Sequence, residues 1–289
     1  MNENKNFGNC KVGTCNFMCP PAEIELRTRE RLVHFLEKTL QNGRLQTDTD
    51  KMVKEYSRPA AGKRDPGPND LRPPEVLVRT VDYLLGSITA KKDVAWKDIY
   101  DFVFDRSRCI RQDMVIQNIG GNSAINILEK IARFHIYAGY RLCREPIARF
   151  DPKINNQHTQ ECLKRLLYVY SVVPGNHDNR QEFESVYLLY NLGQTDALMH
   201  FYDLSKDLRT SSLISLCYRT SIEYMLDTDH VISECEQCGL NISNDKQSVN
   251  FLKGSFVHPD KEHKSYLEVI DKLITMDNLS DILLKKLPP

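Results

Sequence analysis

The sequence has one tryptophan, no net charge and no long apolar run. A membrane-spanning helix needs roughly 18 or more consecutive apolar residues, and no stretch approaches that. The polar start Met1-Asn2-Glu3-Asn4-Lys5 leads into no apolar region, so a secretory signal is not expected. Nine cysteines, an odd number, are scattered rather than framed for pairing. These absences lead to the expectation of a soluble, intracellular, reduced protein of cytoplasm or nucleus, with no membrane partner. Phosphate-cradling loops are missing too: there is no Gly-x-x-x-x-Gly-Lys and no Gly-x-Gly-x-x-Gly. No serine sits in a nucleophile-elbow string. Without an assembled acid, base and nucleophile, the expectation is a chain that is not an enzyme. No cofactor, metal or small-molecule substrate is expected for it.

What is present is an ordinary globular balance, 41% apolar and 27% charged, over 289 residues. That is enough for one extended domain or two smaller ones. The charge is uneven along the chain. Met1 to His177 carries 28 Lys+Arg against 21 Asp+Glu, and Asp178 onward carries 11 against 18. The first part either leans on an acidic partner or simply presents solvated faces. The surplus is smaller than the basic footprint of a typical nucleic-acid binder.

Apolar spacing points to an all-α fold. Residues 1–14 read as a flexible N-terminal arm. Pro20-Pro21 opens a helix that Ile24, Leu32, Val33, Leu36 and Leu40 continue, with Glu25 and Arg29 as an i,i+4 pair, until Asn42-Gly43 ends it. A Pro-rich loop covers 57–74, where proline and glycine density precludes regular structure. Helical periods follow at Leu77 to Ile88 and at Trp96 to Val103. Another begins after Gly120-Gly121, with Ser123 as its cap and Leu128, Ile131, Ala132, His135 and Leu142 inward. Leu163 to Tyr170, Phe183 to Tyr190, Thr195 to Leu204 and Ser212 to Met225 give further helices. Short Gly/Pro/Asn links such as Pro174 to Asn179 imply stacked antiparallel pairs, the logic of a helical-repeat solenoid. The tetratricopeptide consensus itself is absent. Strand signals are nearly missing until Ser255-Phe256-Val257. A winged-helix-like segment is therefore expected at 227–260 and a C-terminal helix at 261–289.

Four features could carry chemistry. Gly175-Asn176-His177-Asp178 is a tetrapeptide of calcineurin-like metallophosphatases, but that chemistry needs two metals held by further Asp-x-His and Gly-Asp motifs. Neither occurs, and helical patterns flank the string. Cys10, Cys15 and Cys19 could converge on zinc only with a ligand from afar, such as Cys235 or Cys238. Their loose spacing reads as incidental or buried thiols. His135 lies on an apolar helix face and reads as a hydrogen-bonded core histidine. The fourth feature is the run Phe102 to Gln117. At 100° per residue, Arg106, Arg108 and Arg111 cannot share one helix face. Two readings stand: the guanidinium forks brace neighbouring helices, or they meet a partner or nucleic acid. As candidate contacts they join Lys54, Arg58, Lys63 and Arg64 in the preceding basic stretch, to which Lys51 also belongs.

The strings Gly13-Thr14-Cys15-Asn16-Phe17-Met18-Cys19-Pro20, Val53-Lys54-Glu55-Tyr56-Ser57-Arg58-Pro59-Ala60-Ala61-Gly62, Asp70-Leu71-Arg72-Pro73-Pro74, Tyr83-Leu84-Leu85, Phe102 to Gln117 and Ala132-Arg133-Phe134-His135 resemble the Sac-three/GANP family in order and spacing. The resemblance runs from about Gly13 to Leu192 and places a Sac-three/GANP helical domain at 15–226. It implies a PCI-like (or TPR-like) helical stack ending in a winged helix, and a scaffold that pairs with a second PCI-type subunit and a small acidic subunit. Long members serve in a nuclear-pore-associated, transcription-coupled mRNA export complex and bind nucleic acid through juxtaposed winged helices.

Three departures bear on that expectation. No centrin-binding helix or nucleoporin-contact region follows Pro289, and Thr195 to Met225 looks about one helix pair shorter than the family pattern. The segment from Asp227 to Asp260 also carries six acids against Lys246 and Lys253. A phosphate-tracking module should be basic. The sequence is most similar to the short centrosomal type, which implies centrosome duplication, spindle assembly and mitotic progression at centrosome, spindle and cytoplasm. RNA export in the nucleus is the alternative.

Overall fold

A computed structural model of the chain describes residues 11–62 and 64–222. The winged-helix-like segment at 227–260, the C-terminal helix at 261–289, Lys63, Cys10, Cys235 and Cys238 lie outside the described residues. The described chain is mostly helical, in line with the all-α expectation. It forms two compact units, divided between Gly175 and Asn176.

In the first unit, α1 (Pro21–Arg29) starts on a proline, whose missing N–H costs nothing in a first turn. It stops eleven residues short of the expected end at Leu40. Arg31 takes a left-handed φ of 58°, which breaks the helix. The chain instead forms a hairpin, β1 (Lys38–Gln41) and β2 (Arg44–Thr47), with Leu40 opposite Leu45. Asn42 (φ 50°) and Gly43 (φ 74°) are its two-residue turn. That φ pair is the one a right-twisted hairpin needs, so Asn-Gly marks a strand reversal here rather than a helix end. The sequence pattern of Leu32, Leu36 and Leu40 misled because only Leu36 of these is buried.

Residues Lys11 to Thr14, the end of the expected flexible arm, are pinned. Thr14 N–H donates to the Pro68 carbonyl and Cys15 N–H to that of Leu71. The Pro-rich loop is irregular as expected, apart from one 3-10 turn (Pro68–Asp70), and it buries Leu71 and Arg72 completely. Pro74 then opens α2 (Pro74–Tyr83), which a π-type turn (Leu84–Ile88) prolongs.

Two long helices follow. α3 (Trp96–Ile116) turns Ile99, Phe102, Val103, Ile110 and Met114 inward. α4 (Gly121–Arg141) begins two residues before the expected cap Ser123, because Gly120 and a left-handed Gly121 (φ 67°) form the corner themselves. Nearly every residue from Ala124 to Ala138 is buried. A helix covered on all sides is a central one, and α4 packs against α2 and along α5 (Pro152–Val172). Asp151 caps α5 by accepting from Lys153 N–H (2.8 Å) and Ile154 N–H (3.4 Å).

The second unit holds α6 (Arg180–Tyr190), α7 (Thr195–Asp203), α8 (Lys206–Arg209) and helical backbone over 212–222. Phe183, Leu188, Phe201 and Ile214 are buried in it. Glu184, fully buried, binds Arg180 at 3.0 Å and His200 at 2.6 Å. Phe201 stacks on Tyr218 with ring centroids 3.9 Å apart.

Candidate functional site: a buried ionic brace around α3

The run Phe102 to Gln117 lies almost wholly on α3, and its charged side chains leave the helix in different directions, as 100° spacing requires. Together they reach Glu37, the stretch from Lys54 to Tyr56, Arg72 and Glu161.

Arg106 turns toward the segments that flank the hairpin. Its Nη2 lies 2.8 Å from Glu55 Oε1 and 3.3 Å from Glu37 Oε1, and its Nη1 lies 2.6 Å from Asp105. Burial works against the Arg106 charge, but Glu37, Asp105 and Glu55 outweigh it and hold its pKa above the ordinary value. The Glu37 carboxylate is completely buried. It accepts from Arg27, from Val53 N–H (3.0 Å) and from His34 N–H (3.1 Å). Arg27, also buried, donates to the Val53 carbonyl at 3.1 Å and pairs with Glu55 at 3.0 Å and Glu23 at 3.6 Å. Burial pushes the Glu23 carboxyl up, against the pull of the Glu55 N–H it accepts from.

Two helical turns further along the same face of α3, Asp113 is the next buried charge. It accepts from Arg72 Nε at 2.8 Å and Lys54 Nζ at 2.7 Å, and both Arg72 and Asp113 are fully buried. Arg72 also donates to the Met18 carbonyl (3.2 Å), and Lys54 to that of Asp70 (2.6 Å). Gln117 extends the knot, accepting from Gly13 N–H at 2.8 Å and donating to the Arg72 carbonyl at 2.8 Å. Burial beside it pushes the Cys109 thiol up to about 12.

Arg111 points to α5, where its guanidinium meets Glu161 at 3.0 Å and lies against the His158 ring. Behind it His135 is fully buried. Asn155 donates to the His135 carbonyl (2.9 Å), so its side-chain oxygen faces His135 Nδ1 at 3.0 Å and accepts from it. Burial drives the His135 pKa down to about 3, which keeps the ring neutral. It is the hydrogen-bonded core histidine its helix face implied.

Of the seven candidate contact residues, Lys54 and Arg106 are buried and ion-paired within the fold. Arg111 is tied to α5, and Arg108 lies over the Tyr56 ring, 3.9 Å from its centroid. Arg58 and Arg64 are exposed in the Pro-rich loop, and Lys63 lies outside the described residues. The sequence reading missed Arg27, Glu37, Arg72 and Asp113. In α1 the i,i+4 pair is Glu23/Arg27, in place of the expected Glu25/Arg29. The signal available was indirect: Arg72 and Asp113 both fall in the strings that carried the resemblance.

Cys15 and Cys19 are buried, and burial pushes both thiols up, away from the thiolate a zinc site needs. Among the described residues no three His, Cys, Asp or Glu side chains gather as a metal site would require. No helix among those residues is long and apolar enough to cross a membrane. The arrangement is one of charges clamping segments far apart in sequence onto one helix.

Known proteins resemble this chain in sequence. The chain is 32% identical over 213 residues to SAC3 family protein 1 of Schizosaccharomyces pombe, covering 73% of this chain and 20% of that protein. It is 31% identical over 242 residues to Protein xmas of Drosophila melanogaster, covering 76% and 11%. SAC3 family protein B of Arabidopsis thaliana is 29% identical over 202 residues, covering 66% and 11%. The chain thus spans about a fifth or less of the length of these relatives. The family profile extends over residues 18–226, taking in the hairpin, the ionic brace and the second unit's helices, and by that match the chain belongs to the SAC3/GANP family.

Proposed function

We propose that this chain is a non-catalytic scaffold that acts in centrosome duplication, spindle assembly and mitotic progression. The observation that carries the scaffold reading is the brace itself. Arg27, Glu37, Lys54, Arg72, Arg106 and Asp113 are buried against one another, holding three separate segments on α3. Charged groups locked this way define a rigid platform for partners, a second PCI-type subunit and a small acidic subunit among them. The acidic stretch from Asp227 to Asp260 supports the spindle role over RNA binding, since it would repel phosphates. Imaging the fluorescently tagged chain through mitosis tests the reading. Enrichment at spindle poles is expected, and signal confined to the nuclear rim would overturn it.

The exposed Arg58 and Arg64, within the basic first part, favour a second reading as an RNA-linked subunit of the mRNA export complex. Under that reading the purified chain binds single-stranded RNA with strong salt dependence; no binding at low ionic strength would rule it out.

A further inference from the structure

Two surface stripes in the first unit share an order that the brace does not use. On α3, Arg108, Arg111 and Val115 fall within one narrow arc of the helix, and on α5 so do Glu161, Lys164, Arg165, Tyr168 and Val172. Along each helix the stripe changes from charged to apolar toward the C-terminal end. Val115 and Tyr168 are each 65% exposed and Val172 is 53% exposed, so the apolar ends face outward. The stripes lie side by side: Arg111 reaches Glu161 at 3.0 Å, and Arg165 donates to the carbonyl of Ile119, just past the end of α3, at 3.2 Å. That second bond puts Val115 and Tyr168 at the same end of the pair.

The charged end is unbalanced. Among the described residues, Arg108, Arg111, Lys164 and Arg165 have one carboxylate beside them, Glu161, and it pairs with Arg111. Arg108 lies over Tyr56 and Arg165 holds a neutral carbonyl. From this charge excess and the apolar end beside it, we infer that the α3–α5 face is a docking surface for a protein segment in which carboxylates are followed by large apolar side chains. The inference rests on the scaffold reading and names the chemistry of one partner. The carboxylates fit the guanidinium forks, as Glu161 already does on Arg111. The apolar residues cover Val115, Tyr168 and Val172, and the two valines offer nothing to a phosphate backbone. Those valines favour a peptide over a nucleic acid.

Fluorescence anisotropy with the purified full-length chain tests this. The probe is a short fluorescein-labelled peptide of aspartates and glutamates followed by leucine and phenylalanine. Saturable binding that weakens with salt is expected. Lys164→Glu at the charged end, and separately Tyr168→Ser at the apolar end, should each weaken it about tenfold. Lys92→Glu, an equal charge change before α3, should leave it unchanged. Circular dichroism confirms that each variant is folded, and because Lys164 and Tyr168 are exposed, at least one will be. The inference is overturned if the probe does not bind, if neither variant weakens it, or if a uridine-rich RNA binds this face more tightly and is lost with the same variants. A chain that reaches the spindle poles yet fails these assays loses the docking face and keeps the scaffold role.

Discussion

Arg72 and Lys54 divide one carboxylate: Arg72 Nε holds Asp113 Oδ2 at 2.8 Å and Lys54 Nζ holds Oδ1 at 2.7 Å. Eighteen residues separate the two cations in sequence, and Asp113 lies on a different element from either. The carboxylate therefore closes the loop from Lys54 to Arg72 onto α3.

Removing that charge should be costly. Asp113→Asn keeps the size of the side chain but leaves two buried cations without a counter-ion. Breaking a buried ion pair from one side typically costs about 3–5 kcal/mol, because the stranded charge stays desolvated. Urea unfolding should show a loss of that order. A midpoint shift no larger than that of the exposed change Lys92→Gln would mean Asp113 does not hold the loop.

Arg106 and Arg108 stand two positions apart on α3 and should behave very differently. Arg106→Ala leaves the buried Glu37 carboxylate with Arg27 as its remaining cation, beside the Val53 and His34 N–H groups, and should cost several kcal/mol. Arg108→Ala loses a stacking contact on Tyr56, worth about 0.5–1 kcal/mol at a partly exposed site. The two thermal midpoints, measured side by side, check this. Equal shifts would contradict the assignment of Arg106 as the brace.

This contrast marks how far the sequence could be read. Helical spacing located α3, α4, α5, α6 and α7, because their apolar residues recur at the period of a helix that buries one face. It also showed that the arginines of α3 must diverge. It could not say where they end, since Glu37, Glu55 and Glu161 become their neighbours only through long-range folding. The hairpin was misread for a related reason. Leu32 and Leu40 continue a helical period yet face solvent, and the Asn42-Gly43 turn outweighs them. Among the candidate contacts, Lys54 looks like any surface lysine until its carboxylate partner, 59 positions away, is placed beside it.

Gly13 gives a test of the pinned N-terminal strap. A methyl group there would sit 2.5 Å from the Leu71 carbonyl oxygen and 2.7 Å from Gln117 Oε1. Neither can retreat easily: the Leu71 oxygen is backbone, and Gln117 is fixed by the Arg72 and Asp113 carbonyls. Gly13→Ala should therefore detach the strap. Hydrogen exchange over Thr14 and Cys15 should quicken markedly while α4 stays protected. Unchanged protection of these amides would show that the strap adapts.

His135 sets an acid limit on stability. Its pKa is about 3 in the fold, against about 6.5 when unfolded, because burial disfavours the charged ring. Above the unfolded value both states are neutral and His135 makes no difference. Below it the unfolded chain takes up a proton that the folded chain refuses, so stability falls as pH drops from about 6.5 toward about 3. The slope from this group approaches about 1.4 kcal/mol per pH unit in the middle of that window. His158 and His34, both lowered chiefly by burial, act in the same direction as pH falls below about 6.5. His135→Gln keeps an amide donor for Asn155 but cannot titrate. Its stability near neutral pH should be lower than that of the parent chain, because the packing changes, while its slope near pH 5 should be shallower by roughly one proton. Chemical denaturation across that pH range reads both quantities. Equal slopes for parent and variant would mean that the buried ring is not the group that resists protonation.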